Sequence, residues 1–236
     1  MSANVSFPLS RQLAAEALGT SLLVAAVIGS GIMADRLTDD TAVTLAGNTL
    51  ATGAILFVLI TIFGPVSGAH FNPVVSLILA IRGELRWARA AGYGAAQIVG
   101  GLAGTALAHA MFELPLLQIS TTVRTGPGQW LAEAVAAFGL VFVILIGARA
   151  RPQVIAGLVS LYIVSAYWFT ASTSFANPAV AVARAFTDTF AGIRPHDLSG
   201  FILAEILGAL LASVFATWLL ADIRPSNSPT QAEQTP

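Results

Sequence analysis

The sequence predicts an all-α membrane protein of six transmembrane helices and two re-entrant half-helices, arranged as an inverted repeat. Three observations carry that expectation. The chain is 56% hydrophobic and only 10% charged over 236 residues, with a mean hydropathy of +0.80; a soluble domain carries about 25% charge. Asn-Pro stands at residues 72–73 and again at 177–178, each time opening a short apolar run. Such a run cannot cross a bilayer, which takes ~20 residues at 1.5 Å rise each. Finally, the two halves of the chain match each other.

Six full spans are expected at 13–34, 42–64, 87–110, 130–148, 153–171 and 199–221, and the short runs 72–81 and 177–186 follow spans two and five. Ala15-Glu16-Ala17 matches Ala132-Glu133-Ala134, Asn72-Pro73 matches Asn177-Pro178, and Gln97-Ile98-Val99-Gly100 matches Glu205-Ile206-Leu207-Gly208. Three anchors in the same order mark an internal repeat. Three spans per half is an odd number, so the second copy enters the membrane upside down. The repeats run ~11–118 and ~125–222, within one domain over 1–222. The Pro/Ser/Thr/Gln-rich segment 223–236 reads as a disordered cytoplasmic tail. The first apolar stretch is too long for a signal-peptide core, so it reads as a retained span.

Arginine placement orients the chain. With the N-terminus inside, Arg11, Arg82, Arg86, Arg89, Arg149, Arg151 and Arg224 are cytoplasmic, and Arg36, Arg124, Arg184 and Arg194 lie outside with Asp35, Asp39 and Asp40. The excess favours both termini in the cytoplasm of a plasma (inner) membrane. A net charge of −1 gives no footprint for nucleic acid. With no Cys, disulfides, Cys-ligated metal and thiol catalysis are excluded. No enzyme activity, cofactor or metal is expected; the partners are the lipid bilayer, water and small uncharged solutes.

The Asn-Pro pairs explain themselves physically. Non-helical backbone at membrane depth is tolerated only where protein buries it or where it lines a wet cavity. Asn is a favoured N-cap, and Pro suits the first helical position because its missing N–H would be unpaired there anyway. Two half-helices inserted from opposite faces bring two positive helix ends together near the midplane. The two side-chain amides then offer donors to a passing solute, at a place that repels cations.

Over residues ~11–222 the chain resembles the aquaporin, or major intrinsic protein, family. The resemblance rests on the paired motifs Asn72-Pro73-Val74 and Asn177-Pro178-Ala179 and on Ala-Glu-x-x-Gly-Thr at Glu16, Gly19 and Thr20. It implies that both motifs line a pore and that the protein is a homotetramer. It also implies a filter of four positions, which an ungapped count places at Thr52, Ser165, Ser174 and Val180. Water-selective members carry an aromatic, a His, a small residue and an Arg there. Here no position in the count is aromatic or charged, so a wide, weakly polar constriction is expected. That favours polyols such as glycerol, urea-like solutes, metalloid hydroxides such as arsenite, or methylated arsenicals, with some water flux. Ala181 replaces the Asp typical of glycerol facilitators, and a bacterial subgroup linked to arsenic detoxification has a similar aliphatic filter position. Val74 in place of Ala is expected to alter the pore slightly at mid-depth.

Other residues carry alternatives. Glu16 and Glu133 are ionisable groups inside spans. They either hold the re-entrant backbone by hydrogen bonds or, in a proton-coupled small-solute transporter, carry protons. A water-selective channel with an atypical filter is a further alternative. His70 is a candidate for the vestibule. Arg184, one turn beyond Val180, is either a charge at the outer mouth or bound by a loop. An intramembrane serine protease is disfavoured because Pro65-Val66-Ser67-Gly68 lacks the leading Gly of a nucleophile motif. His109 and His196 fall at span ends, and Gly100, Gly104 and Gly208 read as small-residue helix contacts.

Overall fold

The computed structural model describes residues 7–221. The proposed tail at 223–236, with Arg224, lies outside them. The order is α1 (Leu9–Leu37), α2 (Thr41–Ser67), α3 (Pro73–Ile81), α4 (Trp87–Met111), α5 (Pro127–Ala150), α6 (Ile155–Phe169), α7 (Pro178–Arg184) and α8 (Leu198–Leu220), with 3-10 turns at Pro152–Val154 and Pro195–Asp197. Long, long, short, long is therefore stated twice, as the repeat predicts. Five stretches of helix are long and apolar enough to cross a membrane: α1, α2, α5, Pro152–Phe169 and Pro195–Leu220. The sixth long helix, α4, falls short on hydropathy because it is built mostly of Ala and Gly, and that composition serves packing.

Helix α1 packs along α4, and α5 packs along α8 in the equivalent place. The glycines set those contacts. A methyl group on Gly100 or Gly104 would collide with the carbonyl oxygens of Ala17 and Ser21 on α1, and one on Gly208 would collide with that of Ala134 on α5. Ala17 and Ala134 each directly follow a buried glutamate. Without a hydrophobic drive between helices in lipid, such close backbone approach supplies the packing energy. It also fixes the depth of Glu16 and Glu133 against α4 and α8.

The two short helices meet by their N-terminal ends. Asn72 caps α3, its Oδ1 accepting from Val74 N at 2.9 Å. Asn177 caps α7, accepting from Ala179 N at 3.0 Å and Val180 N at 3.4 Å. From that meeting point α3 runs to the end of the molecule where Arg82 donates to Thr217 of α8. Helix α7 runs to the opposite end, where Arg194 N donates to Thr122 O and Ser120 N to Ala185 O. The segment 112–126 thus lies across the end of α7.

The strain sits in the approach to each Asn. Ala69 and Phe71, three and one residues before Asn72, have φ of 52° and 49°, and Ser174 and Ala176, at the same offsets before Asn177, have 50° and 48°. Left-handed backbone at a non-glycine residue costs roughly 1–2 kcal/mol, so four such residues at matched positions need compensation from the surrounding structure.

Introducing Gly208→Leu should lower the melting temperature in detergent, since overpacking a filled contact costs roughly 1–3 kcal/mol. Gly128→Ala, with no atom within 4 Å of the added carbon, should leave it unchanged or raise it. Thermal unfolding followed by intrinsic fluorescence compares the two; equal melting temperatures would remove the packing role given to Gly208.

Candidate functional site: a cavity through the two Asn-Pro ends

The loop before each half-helix must pair its backbone amides at membrane depth, where an unsatisfied group costs several kcal/mol. Glu16 supplies the acceptors in the first repeat. Its Oε1 accepts from Ser67 Oγ at 2.6 Å and His70 N at 3.0 Å, and its Oε2 from Phe71 N at 2.7 Å and Gln97 Nε2 at 2.8 Å. Glu133 does the same work in the second, accepting from Phe175 N at 2.9 Å and Ala176 N at 2.7 Å. Neither carboxylate lines the cavity. Of the two roles weighed for Glu16 and Glu133, the backbone role is therefore the one the geometry supports, and a proton carrier facing the solute path has no counterpart here. Ser67 donates to Glu16 and makes no nucleophile–base pair.

The two asparagines lock the half-helices to each other. Asn72 Nδ2 donates to Ala176 O at 2.7 Å, and Asn177 Nδ2 donates to Phe71 O at 2.8 Å. Each amide thus spends its oxygen on its own helix and one N–H on the residue before the other Asn. An amide nitrogen carries two hydrogens, so each keeps one further donor. Both side chains line the cavity.

That cavity has a volume of about 920 Å³. It opens beside Arg82, Glu84 and Arg149, passes Asn72 and Asn177, and ends among Thr52, Tyr167, Ser174 and Val180. Val27, Leu56, Val75, Ile144, Val159 and Ile163 are among the apolar side chains along it, and the two amides and loop residues 68–71 and 174–176 line it as well. His70 lines it as well, its Nδ1 2.9 Å from Ser76 Oγ and its ring edge-on to Tyr93.

Three of the four counted filter positions, Thr52, Ser174 and Val180, line the cavity together with Tyr167. Ser165 does not. It is exposed on the outer face of α6, while Ile163 and Tyr167 of the same helix face inward. A helix turns about 100° per residue, so an offset of two residues carries a side chain to the opposite face, and the ungapped count from Asn177 misses by that amount. The residue it misses is aromatic: Tyr167, 4% exposed, lies 3.4 Å by its hydroxyl from Thr52 Oγ1. The expectation of a level with no aromatic side chain is corrected accordingly. The inward stripe Val159, Ile163, Tyr167, spaced by four residues, was the signal in the sequence.

The motif residues also divide. Pro73, Val74, Pro178 and Ala179 do not line the cavity. Val74 is 2% exposed and packs in a cluster with Ile78, Val141, Ala209 and Ala212, so its role is in the core beside α8 and not at mid-pore. The carbonyl oxygen of Ala179 lies against Gly101 of α4.

Arg184 likewise departs from an outer-mouth charge on the Val180 face. It is 2% exposed and absent from the cavity wall. Its Nε donates to Ala191 O, and its guanidinium lies 3.4 Å from the centre of the Phe175 ring. This is the loop-bound alternative. A second arginine that the sequence left unmarked joins it: Arg124 lies 5.3 Å over the same ring, with Nε donating to Gly192 O at 2.8 Å. Burial lowers the Arg124 guanidinium from its ordinary value, while the charges of Glu133 and Tyr167 act to raise it. Cation–π contacts of this kind are worth ~2 kcal/mol when desolvated. His109 is fully buried, its Nε2 2.8 Å from Thr187 Oγ1 and its Nδ1 3.1 Å from Leu116 O. It joins α4 to both end segments, a structural role the sequence did not reveal.

Comparison with known proteins places this geometry. Residues 3–215 match the family model described as Major intrinsic protein. The chain is 61% identical over 230 residues to aquaglyceroporin AqpS of Rhizobium meliloti (strain 1021), covering 98% of this chain and 99% of that one. It is 28% identical to aquaporin NIP2-3 of Zea mays, over 95% of this chain and 73% of that one. The crystal structure of the aquaglyceroporin from Plasmodium falciparum superposes with a TM-score of 0.70 at 17% identity, over 91% of this chain and 98% of that chain, which is a likeness of fold. The doubled half-helix, the two asparagines exchanging hydrogen bonds across it and the near full-length match agree: this chain belongs to the major intrinsic protein family.

Proposed function

We propose that the protein is a passive channel for small neutral solutes, an aquaglyceroporin whose cargo is larger than water. It is an integral membrane channel and not an enzyme. The observation that carries the reading is the cavity itself: a path past Asn72 and Asn177, with an aliphatic wall opposite the amide donors, ending at Val180 where a water-selective relative has Arg. A solute with hydroxyl groups on one side and carbon on the other matches both walls. Glycerol-like polyols, urea-like solutes and neutral metalloid hydroxides or methylated arsenicals share that pattern. The 61% identity to a protein named an aquaglyceroporin supports the class. Water passes by the same route.

The filter we assign is Thr52, Tyr167, Ser174 and Val180. Its selectivity comes from Tyr167 as a size-setting wall and from Val180 as the absence of a fixed charge. Cations meet the two positive half-helix ends instead. We further place the chain in the plasma membrane as a homotetramer, both termini cytoplasmic, with the mouth beside Arg82 and Arg149 facing in and the segment 112–126 facing out.

Three experiments test this reading. Val180→Arg should restore five donors and a charge at the narrow end. Glycerol or arsenite flux into proteoliposomes should fall at least about tenfold, which needs only 1.4 kcal/mol of added barrier, while stopped-flow water flux stays within a few-fold. Equal glycerol flux in the parent and a folded variant would place Val180 away from the constriction. Tyr167→Ala should speed solutes one carbon longer than glycerol, and Ser165→Ala should change nothing; the reverse pattern would return the filter position to Ser165. Replacing Asn72 or Asn177 by Asp puts a carboxylate at the meeting of two helix ends and removes the N–H given to Ala176 or Phe71. Bilayer recordings should then show a cation leak or the variant should fail to fold; normal expression with unchanged solute flux and no leak would refute the role of the amides.

A further inference from the structure

Three fully buried glutamates stand beside the half-helices, and the two repeats supply them differently. Glu16 receives four donors, one of them the amide of Gln97. In the second repeat the equivalent of Gln97 is Glu205: each lies three residues before the glycine that contacts the backbone next to the repeat's own glutamate, Gly100 on Ala17 and Gly208 on Ala134. Where Gln97 brings an N–H, Glu205 brings an oxygen. Glu133 accepts from the amides of Phe175 and Ala176, and Glu205 Oε1 accepts from the next amide, Asn177 N, at 2.9 Å. The two carboxyl groups therefore take the three successive amides 175, 176 and 177 of one loop. Both residues are 0% exposed, and Glu205 Oε2 has no donor.

The surroundings do not resolve this. On α5 the other charged group is Arg149, in the last turn; α3 has no titratable side chain. From α7 comes Arg184 and from the 112–126 segment Arg124, but both guanidinium groups make their hydrogen bonds to carbonyls, and none to Glu133 or Glu205. Tyr162 of α6 donates to carbonyls of α5, and Tyr167 lies against Thr52. In the turn before α8, Asp197 pairs with Arg194, and His196 is exposed beside it. Two carboxylates on adjacent amides, shielded from water, would repel strongly.

We propose that Glu133 and Glu205 form a buried site for one proton, shared as an acid–carboxylate hydrogen bond behind the second Asn-Pro. The proton supplies the donor that Gln97 supplies in the first repeat, and it turns a repulsion into a charge-assisted O–H···O bond. It is a structural proton, held away from the solute path, because neither carboxyl reaches the cavity. A folded protein that binds one proton more than its unfolded chain loses stability as pH rises. The slope is tenfold in the folding constant per pH unit, from the ordinary glutamate range up to the point where the pair itself gives up the proton.

Infrared spectra of the protein in lipid at neutral pH test this directly. The parent should show the carbonyl stretch of a protonated carboxylic acid, shifted in D2O, and Glu205→Gln should abolish it. In that variant the Gln amide donates to Glu133 as Gln97 does to Glu16. The folding constant of the parent should fall with rising pH about tenfold per unit more steeply than that of Glu205→Gln. A parent spectrum without the acid band, a band that persists in Glu205→Gln, or equal pH slopes would each overturn the proposal. The parent spectrum decides the matter even if the variant fails to fold.

Discussion

Everything in this protein depends on pairing the backbone amides of two loops that stop halfway through a membrane. Water cannot do it, and the loops cannot pair with themselves, because they are extended and partly left-handed. Glu16 and Glu133 solve it by bringing carboxylates in from α1 and α5, each taking consecutive N–H groups of its loop. Placing a carboxylate so accurately requires that its helix hold its depth. The glycine contacts of Gly100 and Gly208, one residue along from each glutamate, provide that. Loop, glutamate and helix packing therefore form one unit in each repeat.

The same unit explains how the channel tolerates strain at its centre. Five non-glycine residues keep positive φ before the asparagines, four of them at matched positions in the two repeats. Two are held by a neighbour's demand: Phe71 and Ala176 give amides to the glutamates and carbonyls to the opposite Asn. The exchange of bonds between Asn72 and Ala176 and between Asn177 and Phe71 makes each half-helix the partner of the other. One N–H of each amide is left over on a side chain that lines the cavity, and its position is already fixed by the bonds the other atoms of the amide make.

Two arginines stand behind the end of the cavity that Val180 lines, Arg184 buried and Arg124 half-buried. Arg124 and Arg184 both lie over Phe175, directly after Ser174 of the cavity lining. Their bonds go to backbone carbonyls of the segments that cross that end of the molecule, so they brace the wall behind the constriction without touching the solute. The aromatic ring likewise appears on α6 as Tyr167, not on α2.

Composition, the two Asn-Pro pairs and three repeat anchors determined the element order, the inversion and the identity of the buried glutamates, because these are local or periodic properties of the chain. Val180 and Ser174, each three residues from Asn177, were placed in the cavity lining by short counts, and the count to Thr52 crossed the 68–72 loop without leaving the inward face. The count to Ser165 crossed the 170–177 loop and fell on the outward face, because a shift of two residues on a helix reverses the face. Val74 and Arg184 carried motif or helical spacing that pointed at the pore, yet both turn into protein; which side of a seven- or nine-residue helix faces a cavity depends on what packs behind it. The pairing of Glu205 with Glu133 lay in the repeat alignment as a Gln matched to a Glu. Only the fold showed that the two carboxyls serve successive amides of one loop, since residues 72 positions apart are brought together by the packing of α5 on α8.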